Sequence, residues 1–269
     1  MCKTLLFLTT LLSLIASCRS EVAESKETKP KNAAKISAPQ PRNIAYKVVE
    51  TTPHDSAAFT QGLLLHEGVY YESTGGFGAS TLRQITPKSG KVLKYLRLPA
   101  KLFGEGLALR EDRLYQLEWR GGQGFIYDRK SFKQLGNFRY QGEGWGLTWD
   151  GEHFILSDGS ASLRFLNPET FALVRTAKVH DHLGPVDDLN ELEFIEGKIF
   201  ANRWHTDEVL VINPTSGLIE GTLDLSALEQ PRPRNQEAVL NGIAYDPKTR
   251  LLHVTGKLWP RIYTLQILE

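Results

Sequence analysis

Glu105 and Lys257 are the side chains of this sequence best suited to move a proton or hold a small charged group, and their spacing is regular. Gln61, Glu105, Trp145, Asn190 and Asn241 each lie two positions before a recurring apolar residue, at Leu63, Leu107, Leu147, Leu192 and Ile243. Eleven to fourteen residues after those same positions stand Thr74, Trp119, Asp158, Trp204 and Lys257. If the two sets converge, they make two rings, and adding Phe59 and Phe103 gives an aromatic bowl with one carboxylate, one amine and several amides at its base. A carboxylate removed from water is a candidate general base or acid, and amide or ammonium donors can hold a developing negative charge. The same tryptophans would equally serve to fill a central core, as buried aromatics usually do.

Convergence requires a repeat, and one is present. Short apolar runs alternate with Gly, Asp, Asn and Pro turns from Ala45 onward, with no sustained helical period, which is an all-β signature. Five segments open with a Gly-Leu-like pair: Gly62-Leu63, Gly106-Leu107, Gly146-Leu147, Glu191-Leu192 and Gly242-Ile243. The steps between their second residues are 44, 40, 45 and 51, the length of a four-stranded propeller blade. Ile85 to Gly90, Tyr127 to Ser131, Leu166 to Thr170 and Ile212 to Gly217 are turn sequences that would join the outer two strands of each unit. The last unit holds only three strand-like runs before the chain ends, and Tyr46 to Thr51 would supply the fourth. The expected fold is an all-β, five-bladed propeller whose last blade is closed by the N-terminal strand, a device that leaves no open sheet edge. Its inner strands would line a channel and crowd the two rings at one mouth. Because a propeller buries its own edges, a monomer is expected.

Composition narrows the partners. The 32 basic and 31 acidic side chains nearly cancel, so no global field attracts phosphate backbones, and nucleic acid is not an expected partner. Only Cys2 and Cys18 occur, both near the start, which leaves the rest of the chain without an internal disulfide or thiolate site. Lys3 precedes an apolar run, Thr4 to Leu14, that is too short for a membrane span of about 20 residues and reads as an export signal. Ile15-Ala16-Ser17-Cys18 resembles a bacterial lipobox, in which the cysteine is acylated after cleavage. Residues 1–17 are then a signal peptide, 18–42 a Lys/Glu/Ser/Pro-rich tether joined to the membrane through Cys18, and 43–269 the propeller. The chain would be exported and lipid-anchored to a bacterial cell envelope.

Several stretches go beyond the generic pattern. Pro53-His54-Asp55, Phe59-Thr60-Gln61-Gly62-Leu63, Glu72-Ser73-Thr74-Gly75, Phe103-Gly104-Glu105-Gly106 and Glu143-Gly144-Trp145-Gly146-Leu147-Thr148 closely resemble the glutamine cyclotransferase family of plants and bacteria. Ser157-Asp158-Gly159-Ser160, Leu189-Asn190-Glu191-Leu192-Glu193, Ala201-Asn202-Arg203-Trp204, Leu240 to Tyr245 and Val254 to Pro260 extend the resemblance, in order, through the whole expected domain. The resemblance implies a five-bladed propeller that closes the N-terminal glutamine of peptides and proteins into pyroglutamate and releases ammonia. It also implies a site built from Phe59, Gln61, Phe103, Glu105, Trp119, Trp145, Asn190, Trp204 and Lys257. One departure is the Arg/Pro-rich loop Gln230 to Gln236 before the last unit.

For that reaction Glu105 would carry the proton from the attacking amine to the leaving nitrogen, or else only bind the substrate ammonium. Asn190 and Lys257 would donate to the amide oxygen, or Lys257 would tune the charge of Glu105. Gln61 would position the substrate amide, and Trp119, Trp145 and Trp204 would pack on the glutamine methylenes. No metal or other cofactor is required: His180 and His182, with Asp181, Asp187 and Asp188 nearby, read as a solvated loop. Two rivals stand beside this reading. One is a propeller lactonase or sugar hydrolase with a channel metal on Glu105, Asn190 and Asn241; the other is a non-catalytic propeller that binds peptides or glycans through its tryptophans.

Overall fold

Each recurring Gly-Leu pair lies in or at the start of the innermost strand of a sheet, and the turn sequences close the hairpins that follow. The computed structural model describes residues 38–228 and 235–268. Two strands come first, β1 (Arg42–Asn43) and β2 (Tyr46–Pro53). Blade one is β3 (Thr60–His66), β4 (Val69–Thr74), β5 (Thr81–Ile85) and β6 (Val92–Arg97). Blade two is β7 (Gly104–Arg110), β8 (Arg113–Glu118), β9 (Gln123–Asp128) and β10 (Gln134–Arg139). Blade three is β11 (Leu147–Trp149), β12 (Phe154–Leu156), β13 (Ser162–Leu166) and β14 (Leu173–Lys178). Blade four is β15 (Leu189–Ile195), β16 (Lys198–Arg203), β17 (Glu208–Ile212) and β18 (Ile219–Asp224). Blade five is β19 (Leu240–Asp246), β20 (Leu251–Gly256) and β21 (Arg261–Ile267), and β2 lies antiparallel to β21 in its fourth place.

The strands within each blade are antiparallel, and the five innermost strands touch in a closed cycle, β3 to β7 to β11 to β15 to β19 and back to β3. Five apolar clusters fill the wedges between neighbouring blades, each drawing side chains from two blades, as with Leu64 and Tyr71 against Leu107 and Leu114. The glycine of the pair is required by that closeness: a Cβ on Gly146 would stand 2.1 Å from the carbonyl oxygen of Asn190 on the next blade. Turn chemistry follows the sequence as well. Asn167 Oδ1 accepts from the backbone N–H of Glu169 and Thr170, both at 2.9 Å, and Asn213 Oδ1 does the same for Thr215 and Ser216 at 3.0 and 3.1 Å.

One pairing lies outside the sequence pattern. β1 runs parallel to β18 and makes blade four five-stranded, so Arg42, assigned to the tether by composition, is part of a sheet. The outer edge of β18 offers unpaired backbone groups, and β1 pairs with two of its residues, Gly221 and Thr222. The signal, Cys18 and the tether up to residue 37 lie outside the described residues, as does most of the Arg/Pro-rich loop.

Candidate functional site

The first ring of polar residues sits in irregularities of the ladder. Register skips between Thr60 and Gly62, Gly104 and Leu107, Leu189 and Leu192, and Leu240 and Ile243. Those skips leave Gln61, Glu105, Asn190 and Asn241 in bulges at the start of four inner strands, where a bulge re-aims a side chain that a regular strand would bury between sheets. In blade three β11 begins only at Leu147, and Trp145 precedes it.

The floor is buried and mutually bonded. Gln61 Nε2 donates to Glu105 Oε1 at 2.9 Å, and Asn241 Nδ2 donates to Gln61 Oε1 at 3.1 Å and to the Thr60 carbonyl at 2.9 Å. Blades one, two and five therefore fix one carboxylate between them. Glu105 is 3% exposed, and burial pushes its carboxyl well above the usual range even though the Lys257 charge and the Gln61 N–H pull it down. Burial lowers the Lys257 ammonium, against the opposing pull of Glu105. No ion pair joins the two among the described residues; the Lys257 Nζ instead lies 5.0 Å from the ring centre of Phe59 and 5.7 Å from that of Trp204.

The wall is aromatic and half-buried. Phe59 meets Phe103 edge to face at 6.0 Å, Phe103 meets Trp119 at 5.3 Å, and Trp145 meets Trp204 edge to face at 5.4 Å. Trp119 and Trp145 both donate their indole N–H to Glu143 Oε2, at 2.9 and 3.0 Å. Glu143 was not singled out from sequence, although it stands in the Glu143-Gly144-Trp145 motif, four positions before Leu147 as Phe59 and Phe103 are before Leu63 and Leu107. Three floor and wall atoms are buried without a partner: Asn190 Oδ1, Asn241 Oδ1 and Trp204 Nε1. Hydrogen-bonding capacity is thus left over where a ligand would lie. Two members of the second ring are engaged locally instead. Thr74 Oγ1 bonds Thr81 Oγ1 at 2.6 Å, and Asp158 holds the N–H of Ser160 and pairs with Arg164 at 3.2 Å.

Below the floor, Glu191 occupies the place that glycine holds in the other four repeats. Its carboxylate spans to blades one and five, accepting from the Leu63 N–H at 3.2 Å and the Ile243 N–H at 2.8 Å. Burial raises its pKa well above the usual carboxylate range. That one non-glycine in a column of glycines is a signal the sequence did carry.

Behind Lys257 lies a second buried charged group. His54 Nε2 faces Glu72 Oε1 at 2.9 Å and His54 Nδ1 faces the Trp259 carbonyl at 2.7 Å, so both ring nitrogens meet acceptors, an arrangement that favours the imidazolium. Burial acts to lower the His54 pKa, but the Glu72 charge and hydrogen bond outweigh it and the net shift is upward. Glu72, for which burial is likewise opposed by His54, Arg83 and Thr60, is held below its usual value. Backbone bonds from His54 to Pro260 (2.8 Å) and from Leu258 to Ala58 (2.7 Å) tie this cluster to the segment that carries Lys257.

Among the described residues no group of three or more His, Cys, Asp and Glu side chains is placed to hold a metal ion. A cleft of about 1010 Å³ is lined by Arg42, Ile44, Tyr245, Arg250 and Leu268 and includes no residue of the bowl.

The chain matches the glutamine cyclotransferase family over residues 15–267. It is 37% identical over 226 residues to a glutaminyl-peptide cyclotransferase of Arabidopsis thaliana, covering 82% of this chain and 71% of that protein. It also superposes on the crystal structure of Myxococcus xanthus glutaminyl cyclase with a TM-score of 0.80 and 40% identity, over 86% of this chain and 100% of the other.

Proposed function

The chain belongs to the glutamine cyclotransferase family, and on that premise we propose how its own residues carry the reaction. The activity is that of a glutaminyl-peptide cyclotransferase: an N-terminal glutamine closes onto its own side chain to give pyroglutamate, and ammonia leaves. The α-nitrogen attacks the γ-carboxamide carbon, a carbon–nitrogen bond forms, and the bond to the amide nitrogen breaks after that nitrogen has received the proton the amine gives up. Atoms balance with no outside reactant.

Glu105 is the proton shuttle. The observation that supports this is its placement, a buried carboxylate fixed by Gln61 on the floor of an aromatic bowl, with its charged form disfavoured by burial. A base whose pKa lies nearer the working pH transfers protons in both directions with less loss. Gln61 spends one amide N–H on Glu105 and accepts from Asn241 at its oxygen, so it orients Glu105 and keeps its second N–H to position the substrate amide. Asn190 and Lys257 donate to the amide oxygen as it gains charge, and Trp119, Trp145, Trp204, Phe59 and Phe103 fold the glutamine side chain and exclude water.

A pH profile tests this. Activity needs Glu105 deprotonated, so kcat/KM falls as pH drops through its raised pKa, in addition to the fall caused by protonation of the substrate amine near pH about 8. Two acid-side ionisations are expected in kcat/KM, the enzyme's own lying above the ordinary carboxylate range. A single ionisation that moves only with the substrate's amine contradicts the shuttle.

The lipobox-like Ile15-Ala16-Ser17-Cys18 supports a second reading, that the protein is exported, acylated on Cys18 and held at the cell envelope. Cys18→Ser should move it from the membrane fraction to the soluble fraction on cell fractionation; an unchanged distribution contradicts the anchor.

A further inference from the structure

Phe77 is 61% exposed, yet it is not a loose loop tip. Its ring lies edge-on to Phe103 at 5.3 Å and tilted against Trp119 at 6.5 Å, so it continues the bowl's aromatic wall outward to solvent. The segment Gly75 to Ser80 that carries it is tied down: Gly78 N–H donates to Ala100, Ser80 N–H to Gly76, and the Ser80 hydroxyl receives the Gly104 N–H at 3.0 Å. Gly76 and Gly78, at φ +113° and +74°, flank Phe77 and give the chain the conformation that turns its ring outward. Gly75 packs directly on Phe103, where a Cβ would stand 2.2 Å from the ring. An aromatic ring held in water by a bonded loop forgoes its own burial, and such a surface gains most when a ligand covers it.

The position says what covers it. On the reading that the glutamine of a peptide N-terminus occupies the bowl, the rest of the peptide must leave across the rim. Phe77 is the exposed apolar ring whose contacts run on into the bowl. We propose that Phe77, beside Trp119, on whose ring the Arg120 guanidinium stacks at 3.6 Å, forms a subsite for the side chain of the residue following the cyclising glutamine, and that it takes an apolar, preferably aromatic, side chain. The proposal rests on the cyclotransferase reading but adds a substrate preference to it.

Steady-state kinetics of ammonia release on the full-length protein test it, using C-terminally amidated Gln-Phe-Ala and Gln-Gly-Ala. The wild type should show a KM for the Gln-Phe peptide roughly five- to tenfold below that for the Gln-Gly peptide. Phe77→Ala should raise the Gln-Phe KM to the Gln-Gly level with kcat for that peptide kept, and Phe77→Tyr should retain the preference. Equal KM values in the wild type, or a preference that survives in Phe77→Ala, overturn the subsite while ammonia release still upholds the cyclotransferase. No ammonia from either peptide overturns both.

Discussion

Replacing Glu105 by glutamine should lower kcat by about 10²- to 10⁴-fold, the range general acid–base catalysis supplies, while the protein stays folded. The substitution keeps the side chain's shape, and the new amide oxygen can still accept the Gln61 N–H that now reaches Glu105 Oε1 at 2.9 Å. What it removes is the ability to take a proton from the amine and return it to the departing nitrogen. Stability should not suffer, because a carboxylate 3% exposed and without an ion-pair partner among the described residues is costly to bury when charged. Thermal melting and circular dichroism check the fold, and single-turnover kinetics check the step. A variant that melts as the wild type does and retains near-full kcat removes Glu105 from the mechanism.

Glu72→Gln should have the largest effect on stability, about 3 kcal/mol, the low end for breaking a buried ion pair because His54 can shed its proton. Both side chains of the His54–Glu72 pair are fully buried, and Glu72 also accepts from Thr60 at 2.7 Å and lies 3.7 Å from Arg83. Its loss takes the carboxylate from the buried His54, which must then shed its proton or stay charged without it, while Arg83 keeps its 2.8 Å pair with Asp55. For a domain of this size the melting midpoint should drop by about 6–12 °C near pH 6. The pH dependence has a definite sign. His54 is raised, so its contribution is complete below its unfolded pKa of 6.5 and is lost as pH rises through the higher folded value. Glu72 is lowered, so its contribution is present above its unfolded pKa of 4.5 and is lost as pH falls through the lower folded value. Wild-type stability from the pair is therefore greatest between those two unfolded values, and the melting midpoint of Glu72→Gln should vary less on either side. Equal midpoints for the two proteins at pH 6 contradict this account. Because the cluster is bonded to Trp259 and Pro260, the variant should also lose turnover through misplacement of Lys257.

The repeat made much of this visible in the sequence, because close approach of inner strands demands glycine and bulges demand a residue that can leave the ladder. Reading two positions before each Leu or Ile therefore found Gln61, Glu105, Asn190 and Asn241, which the structure places in bulges at four strand starts. The same alignment was less informative for the second ring. Thr74 and Asp158 share its spacing but spend their hydrogen bonds on neighbouring strands and turns, a choice set by contacts that spacing does not encode. Glu143 shares the spacing of Phe59 and Phe103, four positions before the recurring Leu, but its bonds to Trp119 and Trp145 join different blades, which spacing does not show. The His54–Glu72 pair is separated by 18 residues and was legible only as two motif members, since nothing in either motif says that they face each other. Two-residue β1 carries no pattern of its own; the open edge of β18 places it.

The most direct test is to follow ammonia and peptide mass in one reaction with a short peptide that begins with glutamine, using the wild type and Glu105→Gln in parallel. The wild type should release one ammonia per peptide and leave a product lighter by that ammonia, with a chelator making no difference, while the variant should do so slowly or not at all. A folded wild-type protein that releases no ammonia, or a variant that matches its rate, would contradict the account.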